Sequence, residues 1–214
     1  KGSYTILPMN QDGSVSYQLT YNGCYDQTRR TTYQGTIGIR NLVSSGDLSQ
    51  PSLPGSLGAT FDISGLKVST SSRGSLTTLQ GTFDYSAVSP DGITLQQTVS
   101  GPRLSLTRSG DLLILYSFQV AVSEDRNTLA FSLSASGGLH SESLTGSMNF
   151  TTPTPLTGIN LTTKAPIAGT LEISGRLNSN LLVKPLGSST VISVDSNGDG
   201  KTDFTLHTQW LGLT

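Results

Sequence analysis

Asp195, Asn197, Asp199, Lys201 and Asp203 occupy every second position of the stretch DSNGDGKTD, residues 195–203. Side-chain oxygens on alternate residues of a tight loop converge on one point, and calcium, a hard cation, takes six to eight oxygens at about 2.3–2.6 Å. Gly200, in the sixth position, permits the sharp turn, and Lys201, in the seventh, contributes its backbone carbonyl rather than its ammonium. Three carboxylates clustered this closely repel one another without a cation. The spacing therefore predicts a calcium ion held by Asp195, Asn197, Asp199, Asp203 and the carbonyl of Lys201. The competing reading is a polar hairpin turn with a solvated acidic tip. It needs only an Asn-Gly or Asp-Gly pair and leaves the regular alternation to chance.

The stretch resembles the DxNGDGxxD calcium loops of bacterial and integrin-type repeat modules, where the loop lies between strands rather than helices. The resemblance covers residues 195–203 alone and implies a loop chemistry, not a fold. It departs from the helical EF-hand and dockerin pattern, because position 12 is Leu206 and supplies no bidentate carboxylate. That missing ligand predicts weak binding, on the order of 10⁻⁴–10⁻³ M, which fills outside the cell and stays mostly empty in a cytosol. The C-terminal segment, from GTLEISG through VISVDSNGDGKTD to Trp210, also looks like the ends of some exported Gram-negative proteins of unknown function. No activity transfers with that likeness.

Other chemistry is sparse. Of two histidines, His140 sits in GGLHSES, which reads as a turn, and His207 lies on a strand face opposite Phe204, Leu206 and Trp210. No GxSxG nucleophile elbow is present. Outside the loop the only adjacent acidic pair is Glu124 and Asp125, which reads as a hairpin tip rather than as half of a glycosidase site. Trp210, the sole tryptophan, reads as core on the face of Phe204 and Leu206. Phosphate loops, dinucleotide fingerprints, zinc spacings and basic patches are missing. The single cysteine, Cys24, permits no intramolecular disulfide and reads as a small strand or turn residue.

The elements that must position these groups follow period two. In YSFQVAV, Tyr116, Phe118, Val120 and Val122 alternate with Ser117, Gln119 and Ala121, and LAFSLSAS repeats the pattern with Leu129, Phe131 and Leu133. Helical spacing is absent, so essentially no helix is expected. Turn signals at NQDG (10–13), SPDG (89–92), RSGD (108–111), SGG (136–138) and SNGDG (196–200) divide the chain into roughly a dozen strands. Longer loops are expected at 44–55 and 151–166, where prolines stop ladder formation, the second as a crossover between two sheets. YQGTIGI at 33, LQGTFDY at 79, LTGSMNF at 144 and IAGTLEI at 167 share a glycine that marks a bulge or a close approach of a neighbouring backbone.

Composition bounds the rest. The 13 basic and 14 acidic residues give a net charge of −1, and charged residues are only 13% of the 214, so no field draws in nucleic acid or an anionic membrane. Serine and threonine number 60. The longest apolar run, LLILY at 112–116, is far short of the roughly 20 residues of a membrane helix. An outer-membrane barrel needs aromatic girdles that a chain with 7% aromatics lacks. The chain begins KGSYTI without an apolar leader or a lipid-anchoring cysteine at its first position, so any signal peptide is expected to have been removed. The sequence thus predicts one all-β domain over 1–214, an antiparallel meander of a dozen or more strands, either strongly curved toward a barrel or folded as a two-sheet sandwich. Residues 167–214 form its C-terminal sub-unit with the calcium loop. The expected function is non-enzymatic, in an exported, extracytoplasmic protein of the periplasm, the outer membrane or the cell exterior, with a protein, glycan or lipid partner. The alternatives are a carrier of an apolar ligand in a curved sheet and a hydrolase on a β scaffold.

Overall fold

A computed structural model describes residues 2–6, 15–28, 30–49, 53–70, 76–108, 110–143, 146–160 and 165–209. Strand makes up 79% of these and helix 2%. The strands are β1 (Gly2–Ile6), β2 (Val15–Asp26), β3 (Thr31–Gly46), β4 (Gly55–Thr70), β5 (Leu76–Ser89), β6 (Thr94–Arg108), β7 (Asp111–Asp125), β8 (Ala130–Ser141), β9 (Gly146–Ile159), β10 (Ala168–Ser174), β11 (Asn180–Leu186), β12 (Ser189–Asp195) and β13 (Phe204–Gln209). A single 3-10 turn, Arg176–Asn178, interrupts the series. The strands form one antiparallel sheet in chain order, with β1 and β13 at its two edges. The expected all-β meander is thus present, as neither a closed barrel nor a sandwich. Each strand packs substantially only on the strands before and after it.

The register assigns every strand two faces, because directly paired residues share a side of the sheet. One row runs Arg40, Thr60, Asp84, Ser100, Gln119, Ser136, Thr151, Glu172, Leu182, Ser193, Thr205 across β3–β13. Residues one step along belong to the other face. There, Tyr17, Ile39, Phe61 and Phe83 pair in sequence across β2–β5. Ala59, Tyr85, Val99, Val120 and Ala135 form the next row, and Ile173, Leu181, Val194 and Phe204 pair in sequence on the same face across β10–β13. All the buried hydrophobic residues described, Ala59, Ile63, Ala87, Phe118, Phe131, Leu156 and Val183, fall on this apolar face. The serine and threonine richness is therefore one face of a sheet, not low complexity.

Register shifts explain the recurring glycine at two of its four positions, Gly35 and Gly169, while Gly146 opposes Ser141 without a shift. Gly35 of β3 faces the pair Gly65 and Leu66 of β4, one residue against two. At φ +127, with the place a Cβ would take 2.6 Å from the Gly65 carbonyl oxygen, only glycine fits. Gly169 stands in the same way against Pro155 and Leu156. Such shifts occur in every ladder from β2/β3 to β9/β10 except β6/β7.

Several expectations are corrected here. Pro153 and Pro155 lie within β9 rather than in a crossover loop, and β9 pairs directly with β10 in the same sheet. Both prolines sit between the paired positions of the ladders to β8 and β10, so their missing N–H breaks no bond. Residues 44–46 and Gly55 likewise belong to β3 and β4. Ser136, Gly137 and Gly138 are strand residues of β8, not a turn. Ser117 and Phe118 together oppose Gly137, and this bulge puts Tyr116 on the polar side with Gln119, while Phe118, Val120 and Val122 keep the apolar side. The NQDG stretch and Trp210 lie outside the described residues.

Candidate functional site

The loop 196–203 joins β12 to β13, as the strand-loop-strand reading requires. Asp195 is the last residue of β12, and its carboxylate folds back over the loop. Oδ1 accepts the Gly198 N–H at 2.7 Å and Oδ2 the Gly200 N–H at 2.8 Å. Asn197 Oδ1 accepts the Asp199 N–H at 2.9 Å, and Asp199 Oδ1 accepts the Lys201 N–H at 2.8 Å. Gly198 and Gly200 take φ of +75 and +81, which gives the chain the tight coil that these bonds need. Gly198 also lies against Leu177 and Asn178 of the 3-10 turn, so the loop leans on the β10–β11 connection.

Asp203 behaves differently. Its Oδ2 accepts from both the N–H and the hydroxyl of Ser196, at 2.8 and 2.6 Å, closing the neck of the loop. The Ser196 hydroxyl, then its N–H, hold the Asp203 carboxyl below the usual carboxylate range. The structure thus gathers Asp195, Asn197 and Asp199 into one coil of turns and places Asp203 at its base. Among the described residues no three carboxylate, histidine or cysteine groups stand together as a metal cluster. Lys201 lines, with Asp195, Gly200, Thr202, Ser193, Leu182 and Asn180, a hollow of about 200 Å³ on the polar face.

Asn180 is the residue that sequence reading missed. It pairs with Asp195 across β11/β12. Its Nδ2 donates to Glu172 Oε1 at 2.6 Å, while its Oδ1 is buried with no hydrogen-bond partner. Nothing in "LNSNLLV" marks it, because its place opposite Asp195 is set by register alone. The donor set fits a hard cation: carboxylate and amide oxygens on alternate residues, a neighbouring carbonyl, and an orphaned amide oxygen beside them. Leu206, in the position of a bidentate carboxylate, stands on the apolar face and is 43% exposed.

Among the described residues the rest of the polar face carries a charged cluster around Arg40 and Asp62. Arg40 forks onto Asp62, with Nε close to Oδ2 and Nη2 at 3.0 Å from Oδ1. Thr82 Oγ1 donates to the same Oδ1 at 2.8 Å, and Thr60 Oγ1 donates to Asp84 at 2.6 Å. The Arg40 side chain, then Thr82, outweigh partial burial and lower the Asp62 carboxyl. His140 lies in β8 rather than in a turn, 3.1 Å from Ser147 Oγ through Nδ1. His207 is exposed on β13, on the side away from Phe204 and Leu206 as the alternation requires. Asp125, at the end of β7, caps its own turn through the N–H groups of Asn127 and Thr128. Cys24 is a half-buried free thiol in β2.

No protein-family model, curated protein or solved structure matches this chain. No helix among the described residues is long and apolar enough to cross a membrane.

Proposed function

We propose that the protein is a non-enzymatic, extracytoplasmic β protein whose C-terminal hairpin binds calcium through Asp195, Asn197, Asp199, Asp203 and the Lys201 carbonyl. The observation that carries this reading is the coil of alternate oxygens from Asp195 to Asp199, fixed by loop N–H groups, beside the partnerless Oδ1 of Asn180. The coil oxygens of Asp195, Asn197 and Asp199 each accept one N–H and keep a lone pair for a cation, and Asn180 Oδ1 keeps both of its own. Asp203 joins by exchanging Ser196 for the ion. An ion held there ties β12 to β13 through its shared ligands. Weak affinity, about 10⁻⁴–10⁻³ M without a bidentate ligand, suits calcium levels outside a cell.

Calcium that binds the folded hairpin and not the unfolded chain raises the melting temperature. At one hundred times the dissociation constant the gain is about 2.7 kcal/mol, and chelator removes it. Asp199→Asn abolishes most of that gain. Asp91→Asn, in a turn whose carboxylate caps Ile93 and Thr94 in the same manner, leaves it intact. A melting curve indifferent to millimolar calcium sinks the metal reading and leaves a polar hairpin turn.

A further inference from the structure

A sheet that is apolar on one side must bury that side against a second layer. Among the described residues the thirteen strands lie in one sheet and supply none, since each packs substantially only on its chain neighbours. The surface area shows the consequence. The chain exposes 12881 Å², whereas a globular monomer of 22.5 kDa exposes about 9,500 Å². Two chains together carry a surplus of about 6,800 Å², ample for a permanent homodimer interface, which buries about 2,000–5,000 Å² or more over both partners.

The distribution of charge and relief narrows the occupant. Arg40, Asp62, Lys67, Asp84, Arg103, Glu172 and Lys184 all fall on the polar face. On the apolar face the paired charged residues, Asp26, Arg108, Asp111 and Glu124, stand at strand ends. Two such faces meet without burying a charge. A hollow at the C-terminal end of this face, between Met148, Ile173, Leu181 and Val194 and reaching Asn180 and Asp195, holds about 320 Å³. It is near the lower limit of small-ligand sites, about 300–1,000 Å³, and occupies one corner of a face that spans the whole sheet. The occupant is therefore extended, apolar and sheet-like.

We propose that a second copy of this chain packs its apolar face on the first about a two-fold axis, making a sandwich from two single-layer sheets. Sheets packed in this way stand about 10 Å apart with their side chains interdigitated. The same patch serves both partners, as a closed two-fold interface requires.

Light scattering on the eluting protein at about 50 µM, with chelator present so that the calcium reading plays no part, is expected to give twice 22.5 kDa. Val99→Lys, in the middle of the apolar face, is expected to halve that mass with an unchanged circular dichroism spectrum. Thr98→Lys, its neighbour on the polar face, keeps the dimer. Should Val99→Lys fail to fold, Leu206→Lys at the exposed edge replaces it. A wild-type mass of 22.5 kDa overturns the proposal. With acyl lipid retained in native mass spectrometry, that monomer is instead a carrier of an apolar ligand.

Discussion

Strands β2–β9 run 12–16 residues each, and their ladders are offset by bulges, whereas β10–β13 run 6–7 residues and pair without a shift after the β9/β10 ladder. Six of the seven buried hydrophobic residues described lie in the long region, and only Val183 in the short one. The reason is visible in the aromatics. Phe118, 5% exposed, lays its ring across Gly101 of the next strand, with ring atoms 3.0 and 3.1 Å from where a Cβ would stand. Phe131, 4% exposed, lies over Gly158 in the same way. In a single layer a ring is buried by lying flat on a neighbour's glycine, not by a layer above it. The short strands have no such pairs, and at their end the 195–203 coil leans on the 3-10 turn that Gly198 touches.

That contrast breaks most easily at the rings. Phe118→Ala is expected to cost about 3–5 kcal/mol in chemical denaturation, while Val183→Ala costs about 2 kcal/mol or less. Equal losses remove the distinction. Next in size is a bulge glycine. Gly35→Ala puts a methyl against the Gly65 carbonyl at a backbone angle alanine avoids, at a cost of about 1–3 kcal/mol. Gly58→Ala, where nothing lies within 4 Å, gains about 0.4–1 kcal/mol through the unfolded state. The smallest effect is electrostatic. The Arg40 guanidinium, then the Thr82 hydroxyl, lower the folded carboxyl of Asp62. Its stabilisation is therefore complete above the ordinary aspartate range and disappears as pH falls through the lowered folded value. The pair is part-exposed, so Asp62→Asn is expected to lower stability at neutral pH by under about 1 kcal/mol, with wild type and variant converging in acid. Melting temperatures at both pH values check the sign, and a gap that widens in acid refutes it.

The sequence carried the strand content, the hairpin tips at Asp91 and Asp125 and the β12–loop–β13 arrangement, because each rests on local spacing. It also carried the bulge glycines, whose motif names a backbone need. What it hid was pairing between distant residues. Gly137, at φ +154, reads as a turn because bulges and turns ask the same thing of the backbone. Pro153 and Pro155 read as a break because only the registers on both sides show that their positions have no ladder bond to lose. The Arg40–Asp62 fork and the place of Asn180 beside Asp195 join residues whose separation along the chain carries no signal. Above all, alternation states that one side of each strand is apolar and leaves open what covers it, so barrel, sandwich and single layer share one pattern.

The chain-order sheet has a mechanical consequence. Because each strand leans mainly on its two neighbours, the energy of the fold is close to a sum of strand-to-strand terms, as in a linear array. Such an object has no single breaking point. Drawn from its C-terminal end, it gives up β13, then β12, then β11 at low and similar loads, and resistance climbs once the pull reaches the glycine-seated rings of β8 and β7. The molecule is a zipper with teeth of two sizes, and its weaker teeth carry the loop that an ion could lock.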